Sequence, residues 1–467
     1  MDPVDLAYAG AFEQARLVRN GDVSAREVIV ATLAQIDALN PRLNAYRVVF
    51  AEQAMADASR ADERRSANRP LPLDGVPVAI KDDADIVGEI TAWGTDAYGA
   101  PKTADSDVVA RLRAAGAIII GKTHVPEMTL WPWTASKTWG VTRNPWDTDR
   151  TPGGSSGGSA VAASTGMCGV ALGSDGGGSI RYPAALTGLF GIKPQRDRVP
   201  LGPDHHDAWN GLTVYGPLAR SVRDAAVFLD ATSDNPPVGG YLATLDAPVP
   251  RLRVAVSFVP PPMSFATLTD DRRAAVEAAA DVLRSLGHEV FEKQVDYGRR
   301  AMSNVSVRYL KGLQHDVATL PRSENLERTT RRLAGVARLL PARSLTAARG
   351  REAALAARMN GVFENADVVL TPIAGSPPPR VDDVGGKGLI RSLYRANVAA
   401  WAAPWNAIGQ PAATVPVGFD REGLPLAVQL CGRPHDETTL LQLAAELEQA
   451  RPWTQHRPDP GHRTTGC

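Results

Sequence analysis

Cysteine is scarce in this chain: 467 residues hold three, Cys168, Cys431 and Cys467. Three thiols do not make a disulfide framework, and they point to a reducing, intracellular compartment, the cytoplasm. Cys168 lies in an apolar run and reads as a small buried hydrophobe rather than a nucleophile. An excess of either charge is also missing. Lys+Arg and Asp+Glu number 51 each, so net charge offers no attraction to nucleic acid or to a membrane surface. No stretch of about 18 uninterrupted apolar residues occurs, which excludes a hydrophobic spanning helix. Met1–Asp5 has no basic segment leading into an apolar one, which argues against a signal peptide. His205-His206 is the only close histidine pair and lacks ligand spacing, so neither a metal nor another cofactor is implied. No internal repeat is found.

What is present is enough apolar material for a sizeable core, 44% of residues. Length alone would suggest about three domains, but the pattern of elements argues for one. Ser24 caps an amphipathic helix to Asn40, with Glu27 as capping-box partner and Pro41 after its end. A second helix follows over 52–68. Val76 to Ile80, β-branched and bounded by glycine and proline, predicts a buried strand that delivers Lys81. A helix over 107–115 and a strand over 117–120 continue the alternation. It returns with strands at 252–258 and 366–370, a helix over 270–286, strands at 413–417 and 427–430, and a last helix over 436–448. The expectation is a single large α/β domain, 1–467, around a mixed sheet.

The most informative stretch holds two glycine–serine turns. Gly153-Gly154-Ser155-Ser156-Gly157-Gly158-Ser159 is followed by Ser174-Asp175-Gly176-Gly177-Gly178-Ser179-Ile180-Arg181, with Ser155 and Ser179 standing 24 positions apart. Glycine at this density costs roughly 0.5–1 kcal/mol per residue relative to alanine in a regular element. A chain tolerates that where backbone must approach a ligand closely, and serines among bare N–H groups suit nucleophilic catalysis. A flexible linker is the bland alternative, but the apolar runs 160–163, 170–172 and 180–192 flank both turns. The Gly-Lys-Ser/Thr ending of a phosphate-binding loop is absent. Gly153-Gly154-Ser155-Ser156-Gly157 matches a nucleophile elbow, yet residues 144–152 read as loop and no strand leads into Ser155.

Gly153 to Pro194 closely resembles the signature of the amidase signature family, serine amidohydrolases built on a Ser–cis-Ser–Lys triad. Leu73 to Asp82 resembles the family's lysine strand, and Gly121-Lys122-Thr123 with Arg143-Asn144-Pro145-Trp146 its connecting segment. Gly409 to Ala412 and Val415 to Gly418 resemble its closing strands. The resemblance touches most of the chain, with the signature core at about 70–200, and is weakest from about 232 to 390. It implies a mixed central sheet covered by helices on both faces.

The resemblance assigns the nucleophile to Ser179, the bridging hydroxyl to Ser155 and the base to Lys81, with a cis peptide before Ser155. Ser156 is the rival relay; the 24-residue spacing favours Ser155. A lysine near its ordinary pKa of about 10.4 cannot take a proton near pH 7, but burial drives it toward neutrality. Asp82 and Asp83 would oppose this if they faced Lys81, so both are expected to point elsewhere. Gly176, Gly177 and Gly178, with the Ser179 N–H, are the natural oxyanion hole. At Gly176 the family often carries a side chain, and its loss should loosen the loop. Arg181 is expected to buttress that loop.

Leu130, Trp131 and Trp133 sit where family members line the acyl channel, and Trp139, Trp401 and Trp405 could join them. Tryptophan is as often core packing as cleft wall, but a cleft wall here would suit an apolar or aromatic substrate. Arg322 to Arg358 carries nine arginines against three glutamates, read as solvated helix faces in preference to an anion-binding face. The resulting expectation is a cofactor-free amidohydrolase acting on a small-molecule amide, esters included, with no nucleic acid or membrane partner and with a homodimer as an allowed assembly. The other reading in the family is the glutamine-hydrolysing A subunit of a tRNA-dependent amidotransferase.

Overall fold

The computed structural model describes residues 1–203, 205, 207–385, 388–395 and 399–460; Cys467 and His206 lie outside them. Thirteen strands occur in chain order: β1 (Tyr46–Val49), β2 (Pro77–Lys81), β3 (Ile118–Thr123), β4 (Ala135–Ser136), β5 (Gly140–Val141), β6 (Val170–Asp175), β7 (Phe190–Lys193), β8 (Val214–Ala219), β9 (Arg253–Val256), β10 (Glu289–Glu292), β11 (Val368–Pro372), β12 (Ala412–Phe419) and β13 (Pro425–Cys431). Eleven of them form one sheet in the order β1-β3-β2-β6-β8-β7-β12-β13-β11-β9-β10, and β4 pairs with β5. Strand β2 runs parallel to both β3 and β6, as β9 does to β10 and β11. From β6 through β8, β7, β12 and β13 to β11 the pairs are antiparallel. The sheet is therefore mixed, within a single domain.

Strand alternation sorts side chains onto two cores. Val78 and Ile80 face one cluster with Leu172, Ile192 and Val415. Ala79 faces the other, with Ala160–Ala163 of the helix Gly157–Ser164 and Leu218. Lys81 shares the parity of Ala79 and so is aimed at the side where that helix begins. All five residues of β2 are buried.

Two local expectations need correction. The helix capped by Ser24 runs Ala25–Leu43 and carries Pro41 inside its last turns. Proline removes one N–H there, but the chain is held by the Asn40 side chain, which accepts from the N–H groups of Ala45 and Tyr46 at 2.8 Å each. Strands β1, β4, β5, β6, β7, β8 and β10 were not foreseen; β10 is only half-buried and edges the sheet. The region 232–390 is largely helical, including Ala301–Thr319, Arg328–Arg338, Ala342–Gly350 and Glu352–Asn360. Among the described residues no helix is long and apolar enough to cross a membrane.

Candidate active site

Strand β2 ends at Lys81, the turn before the helix Gly157–Ser164 carries Ser155, and the turn after β6 carries Ser179. These converge, and Ser155 and Ser179 line one cavity of about 20 Å³. Lys81 is fully buried. Its Nζ lies 2.7 Å from Ser155 Oγ, 2.7 Å from Ser174 Oγ and 3.3 Å from the Ser174 carbonyl. The peptide Gly154–Ser155 is cis. Burial lowers the Lys81 pKa below the usual lysine range, against the opposing pull of the Asp83 carboxylate. Ser155 was expected within reach of both partners. It meets Lys81, while Ser179 Oγ has no hydrogen-bond partner among the described residues and faces the cavity. Ser156 is engaged elsewhere: its Oγ donates to the Ser174 carbonyl at 3.2 Å and its N–H to the Ser179 carbonyl at 3.3 Å.

Asp82 and Asp83 part ways. Asp82 points away from Lys81, pairing with Arg47 at 2.6 Å and Lys122 at 2.9 Å. Asp83 does not: its Oδ2 stands 3.4 Å from Lys81 Nζ and accepts from Ser174 Oγ at 2.5 Å. The cause is the turn after β2, which folds residue 83 back beneath the strand end; the Asp83 carbonyl is held there by Tyr215 Oη at 3.1 Å. Because the one Ser174 hydroxyl proton goes to Asp83, Ser174 must accept from Lys81. Sequence reasoning missed this role. The register that brings β6 beside β2, pairing Ile80 with Leu172, is what carries Ser174 to the lysine.

The loop expected to form the oxyanion hole differs in one donor. The Gly178 N–H is directed at Asp175 Oδ1, 2.6 Å away, with Gly178 at φ 124°, a region open to glycine. The N–H groups of Gly176, Gly177 and Ser179 have no partner among the described residues and remain as donors. Asp175 is tied to Arg181 by bonds of 2.9 and 3.0 Å, and Arg181 also donates to Gln429 at 2.7 Å and Asn406 at 2.6 Å. Burial would raise the Asp175 pKa, but Arg181 and Asn406 outweigh it and hold the carboxylate ionised. Arg181 thus buttresses the loop from a fully buried position. Gly176 is not merely permissive: a β-carbon there would stand 3.1 Å from Trp209 Cε3 and 3.2 Å from Thr213 Oγ1.

Leu130, Trp131 and Trp133 do not line this cavity. The two indoles stack on each other, centroids 5.0 Å apart and 3° from parallel, and all three side chains are buried. Trp401 and Trp405 are fully buried, Trp401 donating to the Phe258 carbonyl at 3.1 Å. Trp139 meets the His124 ring and the Arg47 guanidinium instead. The walls come from Trp93, Leu201, His205, Trp209 and Tyr215. No local motif marks these residues; only the packing of the 201–215 segment gathers them. Cys168 is buried, its thiol pushed up to about 12 by burial. Among the described residues no group of three His, Cys, Asp or Glu side chains could hold a metal.

The profile of the Amidase family matches residues 27–441. The chain belongs to the amidase signature family, and it is an amidase. A Mycobacterium tuberculosis protein carrying the provisional name amidase AmiB2 is 47% identical over 461 residues, 98% of this chain and 99% of its own. The 6-aminohexanoate-cyclic-dimer hydrolase of Paenarthrobacter ureafaciens is 32% identical over 98% of each chain. A solved structure of 6-aminohexanoate cyclic dimer hydrolase superposes on this amidase with a TM-score of 0.90 at 30% identity, over 98% of this chain and 99% of that one.

Proposed function

We propose that this amidase cleaves an uncharged carboxylic amide through an acyl-enzyme on Ser179, with Ser155 relaying the proton and neutral Lys81 as base. The observation that carries this is the line Asp83–Ser174–Lys81–Ser155, which ends in the cavity that Ser179 faces. A neutral Nζ that donates to Ser174 turns its lone pair toward the Ser155 hydroxyl. Ser155 then gives its proton to Lys81 while taking one from Ser179, whose oxygen attacks the amide carbon. The carbonyl oxygen becomes an anion among the N–H groups of Gly176, Gly177 and Ser179, each such donor contributing about 3–4 kcal/mol. The proton returns through Ser155 to the amide nitrogen, the C–N bond breaks, and ammonia or an amine leaves. Water repeats the path in reverse to release the acid. Esters follow the same route with less need of the returned proton.

The cavity wall favours a neutral substrate with an apolar acyl group over glutamine. Trp93, Leu201, Ala208, Trp209 and Tyr215 are apolar or neutral, and the one carboxylate among the described lining residues is Asp83, which would repel a glutamine carboxylate. The relative that hydrolyses the 6-aminohexanoate cyclic dimer is consistent with this. The test is ammonia or amine release by the purified chain from aliphatic, aromatic and peptide amides and from glutamine. Turnover of neutral amides that disappears in Ser179→Ala is expected. Turnover of glutamine alone would overturn the reading.

A further inference from the structure

We propose that Trp209, clamped between the oxyanion loop and the helix Ala301–Thr319, is the residue that sets the size of the acyl group this amidase accepts. The inference rests on the reading of Ser179 as the acylated residue. Trp209 belongs to the segment between β7 and β8, and its backbone sits at φ 51°, a conformation rare for a bulky side chain. Several contacts enforce that placement. The indole Nε1 donates to Asp316 Oδ2 at 3.0 Å. The Tyr309 ring meets it edge-on with centroids 4.3 Å apart. Gly312, on the same helix as both, lets the helix backbone come so near that a β-carbon there would stand 2.8 Å from Trp209 Cα.

On its other side the indole occupies the volume that a side chain at position 176 would need, with Cε3 3.1 Å from the β-carbon direction of Gly176. The missing side chain in the oxyanion loop and the missing side chain in the helix therefore make room for one ring. That ring walls the cavity at Ser179, which at about 20 Å³ has room for about one water molecule. Ser155 and Lys81 occupy the side from which the departing amine is protonated, so the acyl chain extends toward the remaining wall, where Trp209 stands. Short, slender acyl groups fit by small displacement of the indole; branched or aromatic ones collide with it. The variable helical region thus reaches the chemistry through one tryptophan.

The experiment compares kcat/KM for acetamide, hexanamide and benzamide in the wild type, Trp209→Phe, Trp209→Ala and Gly176→Ala, with melting temperatures measured alongside. The readout is the ratio of large to small substrate, which a merely destabilised fold would not move. The ratio of benzamide to acetamide should rise by about tenfold or more in Trp209→Ala, and partly in Trp209→Phe should the alanine variant fail to fold. Gly176→Ala should shift selectivity the opposite way by pressing the indole into the cavity, and pairing it with Trp209→Phe should relieve that shift. Equal loss on all three amides in folded variants would overturn the proposal. Wild-type protein that turns over none of them and takes no label at Ser179 would overturn the acyl-enzyme reading itself, and this inference with it.

Discussion

Two concavities of this amidase make a useful contrast. One is the cavity of about 20 Å³ at Ser179. The other is a groove of about 850 Å³ beside the helices Ala301–Thr319, Ala342–Gly350 and Glu352–Asn360, edged by Arg299, Arg300, Arg343, Arg351 and Arg358. Beside the small cavity the buried charged groups are bound inside the chain: Asp175 binds Arg181, Gly178 and Asn406, and Lys81 binds Ser155 and Ser174. Along the groove Arg343 and Arg351 are exposed and make no ion pair among the described residues. Arg358 reaches Asp296 at 3.0 Å in full view of solvent, where such pairs contribute at most about 1 kcal/mol. Size is therefore a poor guide to chemistry here. Preorganised charge in a dry site is the better one, because its interactions are not screened by water.

Substitutions on the two sides should separate accordingly, beginning with the base. Lys81→Met should lower kcat/KM for amides by on the order of 10²–10⁴-fold, the usual range for a positioned proton acceptor. In the wild type kcat/KM should rise with pH as Lys81 loses its proton and level off below the ordinary lysine value, since burial lowers its pKa. A profile still rising at about pH 10.4 would contradict that environment. Steady-state rates across pH for both proteins settle the point.

Ser155→Ala should cost less on esters than on amides, by about tenfold or more, because an alkoxide leaves with little help and an amine needs the returned proton. Matched ester and amide pairs measure the difference; equal losses would make Ser155 a packing residue.

Arg181→Met should destabilise the fold by about 3–5 kcal/mol, the consequence of leaving Asp175 charged and unpaired in the interior. Urea unfolding read by tryptophan fluorescence gives that figure. Arg343→Ala, on the groove, should change stability by no more than about 0.5 kcal/mol and leave amide turnover as it was. An Arg343→Ala effect comparable to that of Arg181→Met would erase the contrast between the two regions.

The division also marks what could be read from sequence. The meeting of Lys81 with Ser155, the cis peptide before Ser155 and the supporting position of Arg181 were legible because the glycine–serine turns and the lysine strand are contiguous stretches that carry the family resemblance. Ser174 lies within the signature stretch and Asp83 just beyond the lysine strand, yet their meeting depends on the parallel pairing of β2 with β6 and on the turn after Lys81, neither of which leaves a periodic trace. The commitment of the Gly178 N–H to Asp175 is likewise a matter of one dihedral angle. The substrate wall was the least legible. Leu130, Trp131 and Trp133 were expected in the cleft on the family resemblance, but they are buried, the two indoles stacked on each other, and the cavity at Ser179 is instead lined by Trp209, held by contacts with a helix about a hundred residues further on. Helix ends and the short edge strand β10 escaped because local propensity yields there to tertiary packing.

Ser179 is the residue proposed to carry the acyl group. Treating the purified chain with a fluorophosphonate and locating the adduct by peptide mass spectrometry tests it most directly. One adduct on the peptide containing Ser179, absent from Ser179→Ala and slowed in Lys81→Met, is the predicted result. An adduct on Ser155, or labelling that persists in Ser179→Ala and vanishes in Ser155→Ala, would move the nucleophile to the other turn and contradict it.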